Sequence, residues 1–212
     1  MTKSKTKLTV EEIERFIEDA GSDDLGVFGG TYEGGINCQQ IPDEVAPCIH
    51  AILESGDRIK SYLEIGVAAG GTTFLFNHFF QFDKIVLVDD NKHQKAGLRA
   101  NTLKNIEHIE VIGNSQDEES VNQVRVLAPF DIVMIDGDHH YASVKLDTLL
   151  YLPFLRAGGF LILHDSALIE WGVPRVVREL KADKQVIFIE EYISKKHKPC
   201  GLAIFQKARD SE

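Results

Sequence analysis

The stretch from Ser61 to Thr73, SYLEIGVAAGGTT, constrains the fold more than any other part of the chain. Tyr62, Leu63 and Ile65 suit a buried strand, Gly66, Gly70 and Gly71 permit a tight turn with backbone close to a ligand, and Thr72 opens a helix. Strand, glycine turn and helix N-terminus make a cradle for a nucleotide-like ligand, because the amides of the first helical turn face whatever fills the crevice. A dinucleotide-binding turn reads G-x-G-x-x-G. Here Val67 and Ala68 follow Gly66 and the next glycine is Gly70, so Glu64, Gly66 and Gly70 spell E-x-G-x-x-x-G instead. Taken alone, the stretch also fits a plain glycine turn between packed elements.

The rest of the chain alternates strand and helix. Lys84 to Val88 is a buried strand ending in Asp89 and Asp90, Lys92 to Leu103 a helix, Ile109 to Ile112 a strand, Glu118 to Val126 a helix and Phe130 to Ile135 a strand. A helix through Val144, Leu146, Leu149 and Leu150 leads to a strand at Gly158 to Leu163, and another helix begins near Pro174. Val186 to Ile189 and Leu202 to Phe205 are strands with no helix between them, which favours antiparallel pairing. The expected fold is α/β: a Rossmann-like, doubly wound, seven-stranded and mostly parallel sheet with a C-terminal antiparallel strand pair.

Before this core, Thr9 and Glu12 form a capping box for a helix with Ile13, Phe16 and Ile17 on its apolar stripe and Gly21 at its end. Residues 25 to 35, LGVFGGTYEGG, read as a lid or as a connector. Pro42 starts a second helix carrying Val45, Ile49, Ile52 and Leu53, in which Pro47 is tolerable only near the first turn, and Gly56 closes it. Residues 1–57 are therefore read as a helical, glycine-rich extension, and residues 58–212 as the core of a single structural domain.

Composition narrows the partners. With 212 residues, 43% of them hydrophobic, the chain buries one core and is short for two catalytic domains. A net charge of -10 and no dense basic tract argue against nucleic acid, which demands many phosphate contacts, and favour a small-molecule substrate. Residues 1–10 lack the apolar centre of a secretion signal, and no apolar run approaches the ~20 residues of a membrane span, so a cytoplasmic protein with no membrane partner is expected. Cys38, Cys48 and Cys200 have no C-x-x-C spacing and are expected as reduced thiols.

Ligands of such sheets sit outside the carboxyl ends of the strands, which makes strand-terminal polar residues informative. Asp89 is placed to accept the hydroxyls of a ribose, with Asp90 as a solvated neighbour. Asn114 and Ser115 face an adenine edge or form an ordinary turn. Asp136, Asp138, His139 and His140 follow the fourth strand, and His164 and Asp165 the fifth. Carboxylates converging on one crevice repel unless a cation offsets them. Oxygen ligands suit Mg²⁺, whereas a histidine-dominated set suits Zn²⁺ or Fe²⁺. The alternative roles are helix capping for Asp138, backbone anchoring for Asp136 and plain exposure for His140.

The E-x-G-x-x-x-G pattern resembles the first motif of class I S-adenosylmethionine-dependent methyltransferases. Within that class, the run from FDIVMIDGDHHY (Phe130 to Tyr141) to GGFLILHD (Gly158 to Asp165) is similar to the small O-methyltransferases that include cephalosporin-hydroxylase-like proteins, and QQIPDEV, Gln39 to Val45, resembles the segment before their core. The resemblance spans Ser61 to Lys181. It implies S-adenosylmethionine as cofactor, held by Glu64, Gly66, Gly70, Asp89, Asn114, Ser115 and Asp136, with Glu64 meeting its ammonium group. It also implies metal ligation by Asp136 and Asp165. Ser166 stands where catechol-type relatives have an asparagine ligand, which leaves His164 or water to complete the coordination.

The implied reaction is metal-assisted O-methylation of a small molecule such as a sugar or natural product. His139 is the expected general base and His140 the reserve. Trp171 and Tyr192 either wall the acceptor pocket or pack on the fold. A homodimer is expected, as for many soluble enzymes. Two other classes remain open: a metal-dependent redox enzyme built on His139, Asp138 and His164, and a non-catalytic cofactor-binding protein.

Overall fold

A computed structural model describes residues 8–21 and 35–209. The expected lid, residues 25–35, lies outside the described residues except for Gly35. The sheet has seven strands in the order β3-β2-β1-β4-β5-β7-β6. They are β1 (Ser61–Ile65), β2 (Lys84–Asp89), β3 (Ile109–Ile112), β4 (Phe130–Ile135), β5 (Leu155–His164), β6 (Val186–Tyr192) and β7 (Leu202–Lys207). β1 pairs in parallel with β2 on one side and β4 on the other, and β4 pairs in parallel with β5. β7 runs antiparallel between β5 and β6. The expected sheet and its antiparallel C-terminal pair are both present.

The strand period of two sorts apolar side chains onto two cores. Leu63 and Ile65 of β1 join Val86, Val133 and Leu161 under α5 (Glu118–Arg125), α6 (Tyr141–Tyr151) and α7 (Val173–Leu180). Tyr62, Leu87, Ile132 and Ile162 form the other core, with α2 (Pro42–Glu54) and α3 (Gly71–Phe80). The helix α1 (Val10–Ala20) begins with the Thr9–Glu12 capping box and ends at Gly21, as expected. Its Ile13 and Ile17 are fully buried in that second core, each worth about 1.5–3 kcal/mol of transfer free energy, so the N-terminal helix packs as part of the same body.

Two local expectations fail for identifiable reasons. The helix expected over Lys92 to Leu103 is reduced to a 3-10 turn at Ala96–Leu98 and the single-turn α4 (Arg99–Thr102). Side chains divert the preceding amides: Asp89 accepts from the Asn91 N–H, Asp90 from Lys92, and the His93 ring from Lys95, a local bonding pattern that competes with helix. Pro47 lies well inside α2, yet the helix continues through it, held by buried Val45, Ala46, Cys48 and Ile49 around it. Among the described residues the three cysteines form no disulfide and are buried.

Candidate active site

A cavity of 740 Å³ opens at the carboxyl ends of β1 to β5, lined by the turn from Gly66 to Ala69, by Asp89, Asn114 and Ser115, and by Asp136, His139, Asp165 and Trp171. The turn needs glycine at both ends, where positive φ and close neighbours exclude a side chain. A Cβ on Gly66, at φ +81°, would lie 2.2 Å from the carbonyl oxygen of Asp136, and Gly70 takes the same positive φ to enter α3. Ala68 also adopts a positive φ of 46°, a strained conformation for a residue with a side chain.

That strain is held by a buried ion pair. Oδ2 of Asp89 accepts from the amides of Val67 (2.7 Å) and Ala68 (3.0 Å), and Oδ1 accepts from the Asn91 amide and lies 2.9 Å from Arg99 Nη2. Burial works against ionisation of Asp89, but the amides and Arg99 outweigh it and hold its carboxyl below the usual range. Arg99, 3% exposed, also donates from Nε to the carbonyl of Ala68. Asp89 therefore reaches the cavity wall, as expected, while its oxygens hold the turn. The role of Arg99 was not visible in the sequence.

Glu64 lies beneath the turn, 1% exposed, and accepts from the hydroxyls of Tyr62 (3.0 Å) and Thr73. Burial pushes its carboxyl up to about 8, with Asp136 adding to the shift. Asn114 and Ser115 both line the cavity. The Asn114 side chain accepts from the Gln116 amide, which is the turn reading of GNS, while the Ser115 hydroxyl donates to buried Asp147 at 2.8 Å.

The charged centre lies between β4 and β5. His164 Nδ1 is 3.0 Å from Asp136 Oδ1 and 3.2 Å from Asp165 Oδ2, and His139 Nε2 is 2.9 Å from Asp165 Oδ2 and 3.9 Å from Asp136 Oδ1. Gln40, in the segment before α2, donates to the other oxygen of Asp136 at 3.0 Å. Asp165 sits at φ +62°, a costly backbone state that turns its carboxylate into the cluster. Burial opposes the charge on His139, but Asp136 and Asp165 outweigh it and raise the imidazole to about 9. The same two carboxylates hold His164 well above its ordinary value against the cost of burial. On the far side of His164, its Nε2 is buried without a hydrogen-bond partner, and the ligand atoms of Glu44, His164 and Cys200 lie within 4.8 Å of one another.

The structure brings Asp136, His139, His164 and Asp165 together and leaves two expected residues out. Both Asp138 oxygens are engaged near the start of α6, by His140 at 2.6 Å and the Ser143 hydroxyl at 2.7 Å, so Asp138 does not join His139 and His164 in a redox triad. His140 is 89% exposed on that side and is not among the cavity-lining residues. Tyr192 ends β6 and packs on the second core, away from the cavity lining. Trp171 does line it, stacked on the His139 ring with centroids 4.0 Å apart and planes 1° from parallel. The QQIPDEV resemblance pointed at the segment containing Gln40, although nothing in it assigned that side chain to Asp136.

Sheet order, glycine turn and strand-end cavity are those implied by the resemblance to class I S-adenosylmethionine-dependent methyltransferases. Residues 63–166 match the family described as "Methyltransferase domain".

Among curated proteins, it is 27% identical over 140 residues to an uncharacterized protein, R132, of Acanthamoeba polyphaga mimivirus, covering 58% of this chain and 62% of that one. It is 30% identical over 119 residues to the mycinamicin VI 2''-O-methyltransferase of Micromonospora griseorubida, covering 51% of this chain and 28% of that protein. The chain thus spans less than two thirds of the length of either relative. Among solved structures, the MycE methyltransferase of the mycinamycin biosynthetic pathway, in complex with Mg, SAH and mycinamycin VI, superposes with a TM-score of 0.61 at 18% identity, covering 97% of this chain and 56% of that one. No helix among the described residues is long and apolar enough to cross a membrane.

Proposed function

We propose that this chain transfers the methyl group of S-adenosylmethionine to a hydroxyl of a small molecule, such as a sugar or natural product, with a divalent cation at Asp136 and Asp165. The observation that carries the reading is the placement of paired carboxylates and His139 on the wall facing the glycine turn, inside one cavity. The donor set fits a cation: two aspartates and an imidazole nitrogen converge there with Gln40 fixing one aspartate oxygen. Magnesium is the ion in the complexed MycE structure. A cation held there by Asp136 and Asp165 would lower the pKa of a hydroxyl bound to it and orient it.

The chain's own residues account for the remaining steps. The turn at Gly66 to Gly70 brings backbone against the cofactor, Glu64 lies beneath it to meet the ammonium group, and the Asp89 edge faces the ribose. Asn114 and Ser115 border the adenine end. Holding the sulfonium methyl in line with the acceptor oxygen supplies much of the acceleration. The oxygen attacks the methyl carbon, the carbon–sulfur bond breaks, and its electron pair stays on sulfur, giving S-adenosylhomocysteine. The hydroxyl proton goes to His139 Nε2. With Asp136 and Asp165 uncompensated, His139 keeps its own proton at neutral pH. It becomes an acceptor once the charge of both carboxylates is offset. We extend the proposal to a homodimer, because closed symmetric assemblies are common among soluble enzymes. A monomer by light scattering at high concentration removes that part.

Calorimetry with S-adenosylhomocysteine, followed by transfer of labelled methyl to a panel of hydroxylated small molecules, tests the reading. Binding and transfer that chelator suppresses are expected. Binding of NAD with no affinity for the sulfonium cofactor overturns it.

A further inference from the structure

We infer that the cation site at the ends of β4 and β5 is built for a nitrogen-accepting transition-metal ion, such as Fe²⁺, Co²⁺ or Zn²⁺, in preference to magnesium, because His164 Nδ1 is a ligand alongside Asp136 and Asp165. The inference rests on the cation site of the proposed function and concerns the kind of ion it selects.

Spacing is the first argument. Donors bonded to one ion at 2.0–2.2 Å stand about 3 Å apart at right angles and about 3.5 Å apart in a tetrahedron. His164 Nδ1 lies 3.0 Å from Asp136 Oδ1 and 3.2 Å from Asp165 Oδ2, within that range, while His139 Nε2, 2.9 Å from the same Asp165 oxygen, stands 3.9 Å from Asp136 Oδ1 and is the rival nitrogen of the same convergent set. Supporting contacts keep the three atoms there. Gln40 takes Asp136 Oδ2, which leaves Oδ1 for the centre, and the backbone of Asp165 is held at φ +62°.

Chemical hardness is the second. Magnesium demands oxygen donors and near-ideal octahedral geometry, whereas imidazole suits zinc, iron and their neighbours. An imidazole nitrogen aimed between two carboxylates is a poor magnesium ligand and a good one for those ions.

Protein stripped with chelator is loaded with Mg²⁺, Co²⁺ or Zn²⁺ in separate titrations, and with Mn²⁺ for pulsed electron paramagnetic resonance. Transition ions outrank magnesium at most mixed sites, so preference alone does not decide. Nitrogen hyperfine coupling to Mn²⁺ is expected in the wild type, retained in His139→Ala and lost in His164→Asp. The same His164→Asp change is expected to shrink the Zn²⁺ over Mg²⁺ preference by roughly tenfold or more. Wild-type protein that binds no divalent ion, or binds Mn²⁺ without nitrogen coupling, overturns the inference even if the variant fails to fold. Coupling that disappears in His139→Ala also overturns it, by giving the ligand role to His139. Methyl transfer that proceeds with magnesium and without nitrogen coupling sinks this inference alone. Nitrogen coupling without any methyl transfer sinks the proposed function and leaves the inference standing.

Discussion

The imidazole of His139 lies flat on the indole of Trp171, 4.0 Å between centroids, and the backbone next to Trp171 secures the arrangement, the Gly172 amide donating to the His139 carbonyl at 2.8 Å. A protonated imidazole over an indole face is stabilised by about 0.5–2 kcal/mol, and the stack also fixes the direction of Nε2. Trp171→Ala is expected to lower turnover about tenfold, with S-adenosylhomocysteine affinity unchanged and the NMR-detected pKa of His139 lowered, while Trp171→Phe restores most of the rate. Equal losses in the alanine and phenylalanine variants would mean that stacking is irrelevant.

His139 should carry its proton in cation-free protein up to about pH 9. Its folded value lies above the ordinary imidazole value, so the ion pairs stabilise the fold fully below about pH 6.5 and are lost as pH rises through 9. Loading a divalent cation should release this proton near neutral pH, read as buffer-dependent binding enthalpy. His139→Ala should retain the cation, abolish that proton release and reduce turnover by roughly 10²- to 10⁴-fold. Normal turnover in this variant at neutral pH moves the base elsewhere.

Glu64 behaves in the opposite sense from an ordinary surface carboxylate. Its folded pKa of about 8 exceeds the ordinary carboxylate value of 4.5, so the folded state holds a proton that the unfolded chain has lost between those values, and stability falls as pH rises through that window. Urea midpoints measured from pH 5 to about pH 8 should decline in the wild type and decline less in Glu64→Gln. Identical slopes would remove the buried proton from Glu64. If the cofactor ammonium meets this carboxyl, cofactor affinity should also rise over the same window in the wild type only.

Arg99 should matter out of proportion to its place in a single-turn helix. Removing it leaves Asp89 buried beside the turn without its charge partner, a loss of about 3–5 kcal/mol for a buried pair, and Arg99→Ala should therefore melt early and bind S-adenosylhomocysteine weakly. An unchanged melting temperature would show that the amides of Val67 and Ala68 hold Asp89 unaided.

What could be read in advance follows from periodicity. β3 and β4 fall where the apolar runs placed them, and the Thr9–Glu12 cap is in place, because strand alternation and capping are local in sequence. Asp89, Asp136 and Asp165 were legible because strand ends in a parallel sheet share one edge, and Glu64 because of its spacing to Gly66 and Gly70. Arg99 and Gln40 were not, since each acts on a residue distant in the chain through a contact that only the fold creates; Trp171 was named as a pocket wall or a packing residue, but its stack on His139 was not. The helix expected at Lys92 failed because the Asp89 and Asp90 side chains accept from the amides of Asn91 and Lys92 two residues ahead, a local turn that competes with the helix start. His139 and His164 were flagged together as imidazoles near carboxylates, but nothing in the letters tells which ring nitrogen faces them.

Glu44 accepts from the amides of Ser194 and Gly201, and Cys200 stands behind His164. The floor of the charged centre is thus stitched from the start of α2 and from the connection between β6 and β7, on opposite ends of the order of synthesis. During translation the glycine turn and the β1 to β4 neighbours are complete well before that connection leaves the ribosome. A nascent chain arrested ahead of residue 194 should therefore carry the glycine turn with a charged centre that has no backing, so that the two halves of one cavity come of age at different times.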